Sequence, residues 1–448
     1  MTALNPSEQH PRALPLTGVA PEPGSPLAAA SVAEARVVDT EGPQHVSRWL
    51  WVIYPLSLMA MSAVWGGVMQ VLLGKQLAVI APGATAAAAA LGTVLTVAAV
   101  SSVVSQPIVG RLSDRTRVRF LGRRNVWIFG AGIVGALGVA AMSQLTSTLA
   151  LAVAWAVLMW PLNGVQAGLS AVLPERVPER LRGSMSGLVG AASILGGFVG
   201  VALAGLSHEV FRGYLLVAGL FLLITQVFAW TTKDQPAPDR GSRTKAERKA
   251  AGGIPSLRQH PDYWWAFAGR FLLIFGSFSV SSFQLYILKD YVGIGDIDKA
   301  ATTLVALSGL STTLSLVFAA VGGFISDRLG RLRLFVGLST LMFVPAGVVY
   351  LVVPTLTGVW VATAITGVAF GIYLAVDQAL ITRVLPSVDN AGQDLGIMNI
   401  ANAGPQIIAP ALGGAVVGAT GNYSFLFVML IVTTVLGAVS VRFIKGVR

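Results

Sequence analysis

The chain has 448 residues, 54 % hydrophobic and only 11 % charged, roughly half the ~25 % charge of soluble domains, which excludes a string of soluble domains. Cysteine is absent, which excludes disulfides and thiolate-held zinc or iron–sulfur centres. The net charge of +11 admits a nucleic-acid partner only if the charge is clustered for one.

Residues 1–47 contain seven prolines and no sustained apolar periodicity, and read as a disordered cytoplasmic tail. They lack a basic start followed by an apolar core, so they are not a secretory signal. From Trp49 onward, apolar runs of about 20 residues follow one another, each long enough to cross ~30 Å of hydrocarbon as a helix. Twelve spans are expected, at 49–73, 84–109, 125–143, 148–172, 184–206, 213–232, 263–288, 300–324, 333–353, 357–381, 395–419 and 422–444. The fold class is therefore all-α and membrane-embedded. Residues 233–262, rich in Lys, Arg, Pro and Gly, read as a cytoplasmic linker between six-helix halves at 48–232 and 263–448.

With the N-terminus in the cytoplasm, 26 of the 31 Lys and Arg residues fall on the cytoplasmic side. Both termini are then on the cytoplasmic side of the cytoplasmic membrane. The basic charge is explained by topology, and no nucleic-acid partner is expected.

The loop after span 2, Gly110 to Arg124, carries six arginines and has a shorter relative after span 8, Gly322 to Arg333. Asp114 aligns with Asp327 and Arg115 with Arg328, both at an offset of 213 residues. Two further matches extend the repeat. Gln70–Gln76 pairs with Gln284–Asp290 at offset 214, and Gln166–Pro174 pairs with Gln378–Pro386 at offset 212. Both halves start on the same side, which describes a parallel repeat whose halves rock about a midplane site.

Twelve spans, a central linker and a G-x-x-x-D-R-x-G-R hinge after spans 2 and 8 resemble the major facilitator superfamily over roughly residues 48–446. The second hinge, Gly323, Asp327, Arg328, Gly330 and Arg331, fits that pattern without a gap. The first, Gly110, Asp114, Arg115, Gly122 and Arg123, carries six residues (TRVRFL) where the common form has one. That longer form is similar to the glycoside–pentoside–hexuronide cation symporters and the sucrose-transporter group. The resemblance implies that the hinge charges latch the cytoplasmic side shut. Physically, Gly110 and Gly323 would let helices cross closely, and each Asp would meet a helix N-terminus or a nearby arginine. Ordinary positive-inside loop charge also accounts for Arg117, Arg119 and Arg124.

An ionisable group inside a span is costly and marks a partner or a water-filled path. Arg270 in span 7 and Asp377 in span 10 are the two such groups away from the hinges, and an ion pair facing the pathway is expected between them. A purely structural pair, or an Arg270 that snorkels to the interface, fits equally. Asp377 is also the candidate for proton coupling. The resemblance would put sodium-coupling carboxylates in spans 2 and 4, where this chain has none. Lys75 and Lys289, at equivalent outer ends of spans 1 and 7, suit either helix anchoring or gating of the outer mouth. A solute-lining set follows from amides and aromatics on the lining spans: Trp65, Gln70, Trp160, Asn163, Gln166, Gln284, Tyr286, Tyr373, Gln378, Asn399, Asn402 and Gln406. Amides pair with hydroxyls and rings stack on apolar sugar faces. The same groups also suit an amphipathic drug or plain helix packing.

The expected function is a monomeric secondary carrier of a small, glycoside-like solute, with protons as the coupling ion and no cofactor or metal. The alternatives are an exporter of drugs or secondary metabolites on the same fold and, further off, a non-transporting membrane sensor. With no phosphate-binding glycine loop, metal-ligand spacing or nucleophile–base set, an enzyme is not expected.

Overall fold

A computed structural model describes residues 46–116, 121–232, 234, 255–329, 331–385 and 391–446. Most of the expected tail and linker, together with Arg117, Arg119 and Gly330, lies outside the described residues. So do the side chains of Asp114, Arg115, Asp327, Gln378 and Asn399.

Among the described residues, twelve helices are long and apolar enough to cross a membrane: α1 (Arg48–Ile80), α2 (Ala84–Ser113), α3 (Asn125–Met142), α4 (Thr148–Arg176), α5 (Arg180–Gly205), α6 (Val210–Thr231), α7 (Pro261–Ser281), α8 (Ile297–Ser326), α9 (Leu332–Val352), α10 (Leu356–Ile381), α11 (Ile400–Thr420) and α12 (Ser424–Arg442). Helices satisfy their own backbone groups, as a lipid-embedded chain requires. Large apolar side chains such as Leu137, Val157 and Leu223 point outward, where acyl chains and not water would meet them.

The packing repeats after six helices. In the first half α1 packs on α5 and α6, α2 on α4, and α3 on α4 and α6; in the second, α7 packs on α12, α8 on α10, and α9 on α10 and α12. The halves meet where α2 lies against α11 and α5 against α8. Small residues make these approaches possible. A Cβ on Gly196 or Gly200 of α5 would run into the backbone of Met59 or Ala63 of α1. Between the halves, a Cβ on Gly414 would sit 2.6 Å from the Gly92 Cα.

Each half closes on itself. The Trp49 indole donates to the Thr231 hydroxyl at 2.7 Å, joining the start of α1 to the end of α6. Asp262, in the first turn of α7, accepts the backbone N–H of Lys445 and Gly446 at 3.0 and 2.6 Å.

Two helices are irregular at repeat-related places. The middle of α1 widens into a π-helical stretch, Trp65–Leu72. After α7 the chain turns at Ser282 and Phe283, forms the short helix Gln284–Tyr286, and ends in a π-helical turn, Ile287–Tyr291. The run expected at 49–73 continues to Ile80, so Lys75 lies within α1 and not in a loop.

Candidate functional site

A cavity of about 750 Å³ lies between the halves, within the ~300–1,000 Å³ range of small-molecule sites. Its wall combines five glutamines and two asparagines with many serines and threonines, and with Trp65, Trp155, Phe198 and Phe278. Among the described lining residues there is no Asp, Glu, Lys, Arg or His. Trp65 meets Trp155 edge-on, ring centroids 5.8 Å apart, which fixes the Trp65 ring at the wall.

The cavity is sealed on the face away from the hinge loops. There α2 meets α11 at the Gly92–Gly414 approach, and Gly205 of α5 packs against Ala301 and Val305 of α8. The Tyr286 hydroxyl donates to the Gly74 carbonyl at 2.9 Å, and Lys75 pairs with Asp298 at 2.6 Å. Lys75 is 2 % exposed and also donates to the Ser207 carbonyl at 2.8 Å, while Asp298 is 45 % exposed. The equivalent Lys289 instead pairs within its own half, with Asp290 at 2.7 Å. Asp290 in turn accepts from the Tyr423 hydroxyl at 3.3 Å. Burial, reinforced by the Asp290 charge, pushes that hydroxyl well above the usual phenol range, so it stays a donor.

On the hinge face the halves stand apart. A Cβ on Gly110, Gly183, Gly187 or Gly190 would meet nothing within 4 Å. Among the described residues, both polar bonds that join the halves lie on the opposite face. The cavity therefore opens toward the hinge loops. No close crossing is made at Gly110 in this structure, since a Cβ there would meet nothing within 4 Å. In the second hinge the tight approach belongs to Gly322, where a Cβ would sit 3.1 Å from the Ile372 Cα, whereas a Cβ on Gly323 would reach only the Ala375 Cβ, at 3.7 Å.

The first hinge is locked into its own half. Leu121 and Gly122 adopt positive φ, 62° and 87°, and the resulting turn lays the start of α3 against Asp234. That carboxylate accepts the N–H of Arg124 at 2.5 Å and of Asn125 at 3.2 Å, capping α3 from a residue far along the chain. It also pairs with Arg176 at 3.0 Å. Arg123 and Arg124 both reach Glu175 Oε1, at 2.7 and 2.9 Å. Glu175 is thus an acid partner of these arginines that the sequence reading did not name. In the second hinge Arg328 lies over the Phe324 ring, 4.2 Å from its centroid, and Arg331 is exposed.

Arg270 Nε stands 3.5 Å from Asp377 Oδ2; the Asp377 side chain is buried and that of Arg270 partly so. Tyr373, one helical turn before Asp377 on α10, is buried beside it. None of these three lines the cavity. The expected ion pair thus forms, from residues that are not among those lining the cavity.

Of the expected lining residues, the structure brings Trp65, Gln70, Asn163, Gln166, Gln284, Asn402 and Gln406 together in one wall. Three others are elsewhere. Trp160 follows the lining residue Met159 and so sits ~100° further round α4, where it is exposed. Tyr286 is fully buried in the seal, and Tyr373 is buried and does not line the cavity. The sequence reading also passed over Asp394, a buried acid whose carbonyl accepts the Tyr263 hydroxyl at 2.6 Å. Its place in the first turn of the helix Ala391–Thr420, just before the run expected at 395–419, hid it.

A family model described as Major Facilitator Superfamily matches residues 50–402 and, separately, 296–447. No curated protein matches the sequence. Among solved structures, the nucleoside transporter NupG superposes with a TM-score of 0.68 at 13 % identity, over 88 % of this chain and 99 % of that one. A D-xylose–proton symporter gives 0.64 at 15 %, over 89 % and 97 %. A bacterial homologue of the human lysosomal transporter Spinster, inward-facing and occupied, gives 0.62 at 15 %, over 94 % and 97 %. At such identities the likeness is one of fold.

Proposed function

Because the chain belongs to the major facilitator superfamily, it is a multi-pass membrane transporter of a small solute, and we propose that this solute is uncharged and hydroxyl-rich, of the sugar or glycoside kind. One observation carries the reading: a cavity wall dense in amides and hydroxyls in which no described residue bears a charge. A charged solute would need a partner there to offset its desolvation, whereas hydroxyls find donors and acceptors in plenty. The ring of Trp65 supplies an apolar face. The longer first hinge, similar to that of the glycoside–pentoside–hexuronide symporters, leans the same way.

In this proposal the hinge face is cytoplasmic, in a cell's cytoplasmic membrane, and the monomer stands open inward. The halves then rock about the cavity to expose it alternately. Proton coupling would run through Asp377: protonation removes its attraction to Arg270, and α7 and α10, which carry the pair, also carry or flank the wall. Since neither residue lines the cavity, coupling acts through helix position and not through contact with the solute.

Uptake into proteoliposomes tests both parts. Sucrose, D-xylose and uridine are expected to enter, and glucuronate is not. A cationic dye such as ethidium entering while the neutral compounds do not would favour the exporter reading, for which Met69, Met159 and Phe198 supply an apolar wall. Asp377→Asn is expected to abolish acceleration by an inward proton gradient. An unchanged gradient response in that variant removes Asp377 from coupling.

A further inference from the structure

The amides in the cavity wall fall into two groups. Asn163 is committed to the protein, donating to the Ser102 and Ser105 hydroxyls at 3.0 and 2.7 Å and so tying α4 to α2. Gln106, Gln166 and Gln406 bond within their own helices, to Ser102, Ser170 and the Asn402 carbonyl. Gln70, Gln284 and the Asn402 side chain line the same cavity and form no hydrogen bond among the described residues. An amide with both ends unspent at a cavity wall has a donor and an acceptor to offer a solute.

Two of these three are the same residue of the ancestral repeat, since Gln70 and Gln284 correspond at offset 214. Both sit where the helix departs from regular winding. Gln70 lies in the π-helical stretch Trp65–Leu72, and Gln284 is the first residue after the turn at Ser282 and Phe283. Both also lie at the blind end of the cavity. Gly74, four residues past Gln70, and Tyr286, two past Gln284, are bonded to each other in the seal. The two halves thus present matching free amides from opposite sides, next to the place where they touch.

We propose that Gln70 and Gln284 are the paired specificity residues of the site, each holding one polar edge of a solute that bridges the two halves. A primary amide matches two adjacent hydroxyls, or a carbonyl beside an N–H, because it gives one bond and takes one. The solute class is accordingly a compact, uncharged molecule with such a polar edge at two ends, and its intervening face lies within reach of Trp65. This assignment rests on the proposed uptake of an uncharged, hydroxyl-rich solute and says which side chains select it.

The test uses the full chain in proteoliposomes with labelled sucrose, D-xylose and uridine, and takes the compound that the unaltered protein carries best. Gln70→Leu and Gln284→Leu are each expected to raise KM about tenfold, the scale of one or two neutral hydrogen bonds, and the double variant about a hundredfold. Melting temperatures in detergent should stay unchanged, because neither amide bonds to the protein. The shorter amides Gln70→Asn and Gln284→Asn should give smaller losses and serve as well should a leucine variant fold poorly. One substitution without effect on KM, or a double variant no worse than the poorer single one, overturns the pairing while leaving the transport reading intact. No uptake of any of the three compounds by the unaltered protein overturns that reading, and the pairing with it.

Discussion

Replacing Asp298 by Asn is expected to open the sealed face, and replacing its partner Lys75 by Met is not. The asymmetry comes from burial: Lys75 is 2 % exposed and Asp298 45 %. In Asp298→Asn the ammonium remains buried, with the Ser207 carbonyl and a neutral amide for company. Losing one charge-assisted bond there costs roughly 2 kcal/mol, less than the ~3–5 kcal/mol of a wholly buried pair because water screens the aspartate. Once the halves part on that face, water solvates Lys75, so the cost falls on the sealed state alone. At ~1.4 kcal/mol per factor of ten, the open fraction rises about 30-fold. Lys75→Met keeps the apolar stem and leaves Asp298 hydrated, so it should stay within about threefold of the unaltered protein. The double variant should fall back to the same level. The chain has no cysteine, so Ala301→Cys, fully buried in the seam, would be its only thiol. Its alkylation by a membrane-impermeant maleimide added to that face reads the opening. Equal rates in Asp298→Asn and Lys75→Met, or no acceleration in either, would refute the reasoning.

Gly414→Val should act in the same direction by a steric route, because its Cβ would meet the Gly92 backbone, which cannot rotate away; the same Ala301→Cys labelling should accelerate. Asp234→Ala removes both the cap of α3 and the anion beside Arg176, and should cost about 2–3 kcal/mol, seen as a lower melting temperature in detergent. Asp234→Asn, which keeps an acceptor for the α3 N–H groups, should lose about half of that. Gly122→Ala is expected to cost at least about 1 kcal/mol, since it combines positive φ with a clash against Asp234.

Length and hydropathy were enough to read twelve crossings, because a lipid-spanning helix is written as an uninterrupted apolar run. Register within the repeat was legible too: Gln70 and Gln284, equivalent at offset 214, line one cavity. Rotation was not legible. In α4 nearly every residue is apolar, so nothing in the sequence separates Met159, which lines the cavity, from Trp160, which does not. Contacts between distant segments were hidden for a different reason. Asp298 lies just before the eighth run and looks like a helix-start acid, and only the closed seam shows that it meets Lys75 from the other half. Glu175 and Asp234 lay at the ends of runs, where loop charge and ion pairing look alike. The break after α7 was also unreadable, since Ser282, Phe283 and Gln284 carry no proline or glycine to mark it.

The bond from Trp49 to Thr231 and those from Asp262 to Lys445 and Gly446 bring the two ends of each half to one spot. A unit built that way can be copied and joined to its twin by almost any tether without re-routing a helix, which is the geometry that gene fusion needs. Order is then a matter of indifference to the architecture. A permuted chain that begins at His260, runs through Gly446, and continues by a flexible tether into Ser47 should insert and assemble as the natural one does.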